Sequence, residues 1–239
     1  MYGEDLAYIH DAGFGDLARE AAPWVLRALE EGERPASFVV ELGCGSGILL
    51  RELTAAGLGA CGIDTSEALL ERAQRAAPGA LLRRDSLWTA EIPSCDAVIA
   101  MGEGLNYLPP GNGDAVDLAA VLGRIFRALE PAGILLFDLL LESQETETAY
   151  RTWASGPDWA VLAEVAPGPR AQVLDRRITT FRQVGEHYRR ESEVHRLRLW
   201  SQREVSEALE QTGFSFRIHG GYGGRKVGPG RRVFEARRT

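Results

Sequence analysis

The chain has 239 residues, 34 acidic against 27 Lys or Arg side chains, and a formal net charge of -7. That length can bury about 70–75% of the unfolded surface, which implies one domain with an appendage, and the charge gives no attraction to phosphate backbones or acidic membranes. No apolar run is long enough to span a bilayer, the start Met1-Tyr2-Gly3-Glu4-Asp5 is acidic where a secretory leader is basic, and Cys44, Cys61 and Cys95 fit neither a disulfide framework nor a zinc spacing.

These features lead us to expect a cytoplasmic protein with buried, reduced thiols, no metal, no nucleic-acid or membrane partner, and a small-molecule substrate. The segment from Leu6 to Gly15 is polar-aromatic and punctuated by glycine, and Asp16 to Glu31 has the apolar stripe of an amphipathic helix stopped by Gly32. Phe38-Val39-Val40-Glu41-Leu42 reads as a buried strand. Gly43-Cys44-Gly45-Ser46-Gly47 then turns the chain, because glycines at alternate positions permit a sharp turn and a close backbone approach. A helix resumes from Ile48 to Ala56. A dinucleotide loop needs G-x-G-x-x-G, and Ile48 stands where its last glycine would be.

Ala60 to Asp64 is a second strand ending in an acid. A helix from Thr65 to Ala76 follows, with Thr65 and Ser66 as possible caps, then a strand from Ala80 to Arg84 that ends at Asp85-Ser86. Asp96 to Met101 is an apolar run suited to a central strand covered on both faces. After it comes the loop Gly102-Glu103-Gly104-Leu105-Asn106-Tyr107-Leu108-Pro109-Pro110. Gly111-Asn112-Gly113-Asp114 should open a helix running through Glu130, and Ile134 to Leu140 is the fifth strand, with Asp138 in a substrate pocket or over a helix N-terminus. From Trp153 to Trp200 the alternation changes to three long β-like segments, 159–165, 172–184 and 187–200. Ser201 to Glu204 is a capping box, and its helix reaches Thr212-Gly213. The strands 214–219 and 232–236 then form a hairpin across the glycine-rich stretch 220–230.

E-L-G-x-G-x-G with an acid-ended strand about twenty residues on resembles the class I S-adenosylmethionine-dependent methyltransferases, of the bacterial small-molecule type. The run RALEPAGILLFDLL resembles the same family, with Ala132 where a second glycine is usual. The resemblance implies a Rossmann-like α/β sheet of seven strands, the last antiparallel, with an antiparallel β insertion after the fifth strand. It implies one domain over 1–239, the insertion at 151–200 covering the substrate site, and a monomer or homodimer. S-adenosylmethionine would lie on Glu41, Gly43, Cys44, Gly45 and Gly47, with Asp64 on its ribose hydroxyls as in other α/β nucleoside folds. Thr65 and Gly102 join that set, Asp85 and Ser86 would meet the adenine, and Tyr8, with His10, would belong to a lid.

Nucleobase amino-methyltransferases carry Asn or Asp directly before Pro-Pro, whereas Asn106 precedes Tyr107-Leu108, and no Pro-Cys pair offers a cytosine C5 nucleophile. The expected reaction is therefore methyl transfer to N or O of a small metabolite; acceptors on RNA or protein, or a binding protein without turnover, are the alternatives. A phenol, hydroxyl or ammonium acceptor benefits from a base at hydrogen-bond distance. Glu103 is one candidate, and Glu193 with His195, two apart and therefore on one strand face, is another.

Overall fold

Strands that are apolar on both faces must be covered on both faces, and that requirement organises the chain. The computed structural model describes residues 2–32, 35–109, 116–143 and 148–239. Helices α1 (Glu4–Gly13) and α2 (Asp16–Glu30) lead into β1 (Phe38–Leu42), α3 (Ile48–Ala55), β2 (Gly59–Asp64), α4 (Glu67–Ala76), β3 (Leu81–Arg84) and β4 (Cys95–Ala100). Then follow α5 (Leu118–Ala128), β5 (Leu129–Leu140), four strands β6 (Tyr150–Ser155), β7 (Trp159–Pro167), β8 (Val173–Val184) and β9 (His187–Arg198), and α6 (Gln202–Thr212). Strands β10 (Phe214–His219), β11 (Gly221–Tyr222), β12 (Arg225–Lys226) and β13 (Arg231–Arg238) close the chain.

The main sheet has seven strands in the order β10-β13-β5-β4-β1-β2-β3. Its first five strands run parallel, and β13 lies antiparallel between β5 and β10. All six residues of β4 are buried. One face packs on Val25, Leu49 and Leu53 of α2 and α3, the other on Val121, Ile125, Val205 and Leu209 of α5 and α6. The order reverses between β1 and β4, so a crevice opens beyond their carboxyl ends, where open α/β sheets bind ligands.

Four departures from the sequence reading have physical causes. The polar-aromatic segment near the start is a helix, α1, because Glu4 and Asp5 sit in its first turn, where the helix dipole favours negative charge, and Leu6 and Ile9 share a face. Those two side chains form a satellite core with Trp159, Val161 and Ile178, apart from the two main clusters. The insertion has four strands, not three, in the order β6-β7-β8-β9. Edge strand β6 escapes pattern reading because it buries little, with Trp153 74% exposed. The expected helix opening at 111–114 lies outside the described residues; α5 is described from its cap Asp117, which accepts the Ala120 N–H, and ends at Ala128 because Leu129 already pairs in β5. Stretch 220–230 is more than a connection, since β11 and β12 form a small ribbon and bury Tyr222.

Ala132 adopts a left-handed φ of 63°. A Cβ there costs roughly 1–2 kcal/mol. Ala132→Gly is therefore expected to stabilise the fold by about 1 kcal/mol, read as a higher denaturant midpoint at unchanged slope.

Candidate active site

The crevice beyond β1 and β4 is a cavity of about 810 Å3, within the range that holds small ligands. Its floor is the turn after β1. Gly43, Gly45 and Gly47 all have positive φ, at 71°, 54° and 76°, but they serve different ends. A Cβ on Gly45 would meet nothing within 4 Å, whereas one on Gly47 would lie 2.8 Å from Ala73 Cα. Gly45 therefore keeps the cavity open and Gly47 lets α3 pack on α4. Accordingly Glu41, Gly43, Cys44 and Gly45 line the cavity and Gly47 does not.

Asp64, at the end of β2, accepts the Gly45 N–H (2.9 Å) on one oxygen and the Ser66 N–H (2.8 Å) on the other. Each oxygen retains acceptor capacity towards the cavity. Burial raises the Asp64 carboxyl above its ordinary value, opposed by those backbone donors. Glu41 is buried, with Oε2 lacking any partner; burial and the nearby Asp64 carboxylate push its carboxyl well up. Ser46 Oγ is likewise buried without a partner. Thr65, Asp85, Ser86 and Gly102 also reach the cavity wall. The Ser86 N–H, expected to face an adenine, is donated to Asp85 Oδ1 at 2.7 Å. Burial raises all three cysteine thiols, Cys95 to about 12, so each stays protonated at neutral pH. Among the described residues no group of three or more His, Cys, Asp or Glu could hold a metal ion.

The loop after β4 is held from beneath. Asp138 is fully buried and accepts the Gly102 N–H (3.2 Å), the Glu103 N–H (2.6 Å) and the Tyr222 hydroxyl (2.7 Å). Of the two places expected for it, it is therefore not in the cavity wall but at a helix N-terminus, where it anchors the loop at the start of the short 3-10 turn Gly104–Asn106. Glu103, at φ 63°, turns its carboxylate away from the cavity to Arg176 (3.1 Å) and Arg231. Burial would raise its carboxyl, yet the two guanidiniums hold it below the usual value. The reading of Glu103 as a base is thus corrected: both oxygens are committed to arginines, and Glu103 does not line the cavity. Arg176 extends the chain to the Tyr107 hydroxyl (3.1 Å), which lies 3.3 Å from that of Tyr2. Asn106 bonds Leu140 and Arg198 backbone atoms, a structural staple.

Glu193 and His195 lie on one face of β9, with His195 Nε2 3.0 Å from Glu193 Oε2. The ring is only 4% exposed, lines the cavity, and packs between Tyr2 (5.1 Å) and Tyr107 (5.6 Å). Its Nδ1 is buried with no partner. Burial works against ionisation of Glu193, but the His195 N–H and the Gly3 N–H (2.8 Å) outweigh it and keep the carboxyl below its ordinary range. An ionised carboxylate can only accept, so it fixes the proton of a neutral ring on Nε2 and leaves the Nδ1 lone pair free.

Tyr8 is the other correction. A helix turns about 100° per residue, so Tyr8 faces away from His10 two positions on. Its hydroxyl donates to Asp158 (2.7 Å), and Arg182 stacks on its ring at 4.0 Å. Tyr2, His10 and Phe14 line the cavity in its place. Tyr2, Leu87, Trp88 and Tyr107 have no periodic signature; Tyr107 alone could have been inferred from its place in the loop beyond β4.

Comparison with known proteins follows the same lines. A family model described as a methyltransferase domain matches residues 14–217. The chain is 30% identical over 198 residues, 80% of its length and 77% of the other's, to YqeM of Bacillus subtilis (strain 168), whose name assigns it as a methyltransferase without an acceptor. It is 26% identical over 238 residues, 94% of this chain and 97% of the other, to the Streptomyces venezuelae dTDP-3-amino-3,4,6-trideoxy-alpha-D-glucopyranose N,N-dimethyltransferase. An S-adenosylmethionine-dependent methyltransferase from Clostridium acetobutylicum ATCC 824 superposes with a TM-score of 0.82 at 17% identity, covering 97% of this chain and 96% of that one.

Proposed function

We propose, from the premise that this chain belongs to the S-adenosylmethionine-dependent methyltransferases, that it methylates an amine, or failing that a hydroxyl, of a small metabolite, with His195 as the base. The bound cofactor supplies a methyl group on a sulfonium centre. The residues present fit such a cation. Glu41 has an orphaned buried oxygen, Ser46 an orphaned hydroxyl, and Gly45 a space that a Cβ would fill. The carboxylates of Glu41, Asp64 and Asp85 all line that part of the cavity. Asp64 would take the ribose hydroxyls, and Glu41 with the Gly43–Ser46 turn would hold the amino-acid end.

The observation that carries the base assignment is that His195 lines the cavity and that its buried Nδ1 has no hydrogen-bond partner. An ammonium acceptor has no lone pair until it loses a proton. Nδ1 can accept that proton while Nε2–H stays on Glu193, and the resulting imidazolium is stabilised by the same carboxylate. Tyr2 and Tyr107 pack on the ring and restrict it to one orientation, so the acceptor meets a base already in place. The insertion and α1 wall the cavity from above, which favours a metabolite over a polymer. The amine preference draws on the Streptomyces venezuelae relative, whose named acceptor is an amino sugar carried on a nucleotide. Exposed Arg177 and Arg196 at the same cavity mouth would suit an acceptor that bears phosphate.

Methyl-labelled S-adenosylmethionine offered with nucleotide-linked amino sugars, simple amines, phenols, RNA and protein tests this. Label is expected in an amine of metabolite size. Label confined to RNA or protein, or none despite cofactor binding, would overturn it.

Glu41→Gln is expected to act in opposite directions on the free and bound protein. Because burial raises the Glu41 carboxyl, the folded state holds a proton that the unfolded chain releases above about its ordinary value. Stability therefore falls as pH rises through that window, and the amide removes this loss. The ligand-free variant should melt higher than wild type at pH 8, with less difference at pH 5. It should also bind S-adenosylmethionine roughly tenfold more weakly, by calorimetry, for want of a charged acceptor.

A further inference from the structure

We propose that Asp5 is a positioning residue: its carboxylate seats α1 on the insertion, and the seated helix completes the Glu193–His195 pair, so that closing the cofactor cavity and setting the base are one event. Asp5 is fully buried in the first turn of α1. It accepts Arg189 Nε at 2.6 Å and Nη2 at 2.5 Å in a two-toothed contact, and Arg182 at 3.2 Å. Those arginines face each other across β8 and β9. Two-toothed carboxylate contacts are directional as well as strong, so this one fixes the helix in register and not merely near the sheet.

The same register reaches the base. Gly3, the residue capping α1, donates its N–H to Glu193, four positions beyond Arg189 on β9. Tyr2, next before it, lays its ring against His195 and accepts the Ser66 hydroxyl on its carbonyl at 2.7 Å. Ser66 caps α4 and its N–H is held by Asp64. A single segment, residues 2–5, thus spans from the cofactor cradle to the base and is fastened at Asp5. Beside Asp5, α1 is held by the small Leu6 and Ile9 cluster, by Glu4 with Arg182 and Arg189 at 3.3 Å each, by Tyr8 with Asp158 and the Arg182 guanidinium, and by Asp11 with Arg72 at 3.3 Å. A helix tied by a satellite core and side-chain contacts is a unit that can open without unfolding the main sheet.

The half that concerns closure depends only on cofactor occupancy; the half that concerns His195 rests on the base assignment above. Asp5→Asn is expected to speed amide exchange over residues 3–13 and to make S-adenosylhomocysteine dissociate roughly tenfold faster in stopped flow, since a charged hydrogen-bond acceptor is lost. It should also mix the His195 ring tautomers, read from the ring 15N shifts, a signal that simple loosening of a helix would not move. Arg189→Lys keeps the charge and loses the two-toothed contact, so it should give an intermediate result, and it replaces Asp5→Asn if that variant does not fold. Unchanged exchange or dissociation in the folded variants would overturn the latch. Faster dissociation with unchanged ring shifts would overturn the link to His195, and an acceptor inconsistent with a base would leave the dissociation result standing.

Discussion

Gly45→Val is expected to abolish S-adenosylmethionine binding while leaving the protein folded. Two effects combine at this position. With φ at 54°, a β-branched residue is disfavoured by sterics, at roughly 1–2 kcal/mol. The open space around the added Cβ is the cavity itself, so the isopropyl group takes ligand volume and meets no protein atom at Cβ. The expected loss of affinity exceeds roughly two decades. Gly47→Ala is the contrasting case: its Cβ would drive into Ala73, so it should lower the melting temperature and affect binding only through the fold. Calorimetry and thermal melting of the two variants separate the roles. Normal affinity in Gly45→Val would show that the turn is not the cradle.

This pair also marks how far the sequence could be read. Alternating glycines after a buried strand state that the backbone turns tightly, but not which Cβ would face a ligand and which a neighbouring helix. That depends on α4 arriving at Gly47, a contact twenty-six residues distant. The main sheet was legible because β1, β4 and β5 are apolar runs ended by acids or glycines, and because α2 and α5 carry clear stripes. The exposed edge β6 and the short helix α1 were not, since neither displays a periodic apolar face of its own length. Family resemblance supplied the cofactor, the seven strands and the antiparallel last one. It did not supply the wall built by Tyr2, Leu87, Trp88 and Tyr107.

Glu103 illustrates the same limit in charged residues. A carboxylate in the loop facing the reaction looks like a base by position. Its actual partners, Arg176 in β8 and Arg231 at the start of β13, lie 73 and 128 residues away in sequence. Such partners leave no local mark. The Glu193 and His195 pair was readable because period-two geometry places both on one strand face, and the structure brings them to 3.0 Å.

His195→Ala is expected to lower turnover by roughly two to four decades, the usual worth of a positioned general base, while S-adenosylhomocysteine affinity stays near wild type. The ring packs on Tyr2 and Tyr107 and bonds Glu193, all apart from the turn after β1, so its removal should spare the cofactor. Glu193→Gln should cost less, because an amide oxygen can still accept the Nε2 proton but no longer stabilises an imidazolium. The pH dependence of the Glu193 contribution follows from its lowered carboxyl. Glu193 is held below its ordinary carboxyl value, so its contribution is complete above pH 4.5 and is lost only as pH falls through its lowered value. Turnover with saturating cofactor and the acceptor identified by labelling is the measurement. Equal rates in wild type and His195→Ala would remove the base from the mechanism and leave the ring as packing between Tyr2 and Tyr107.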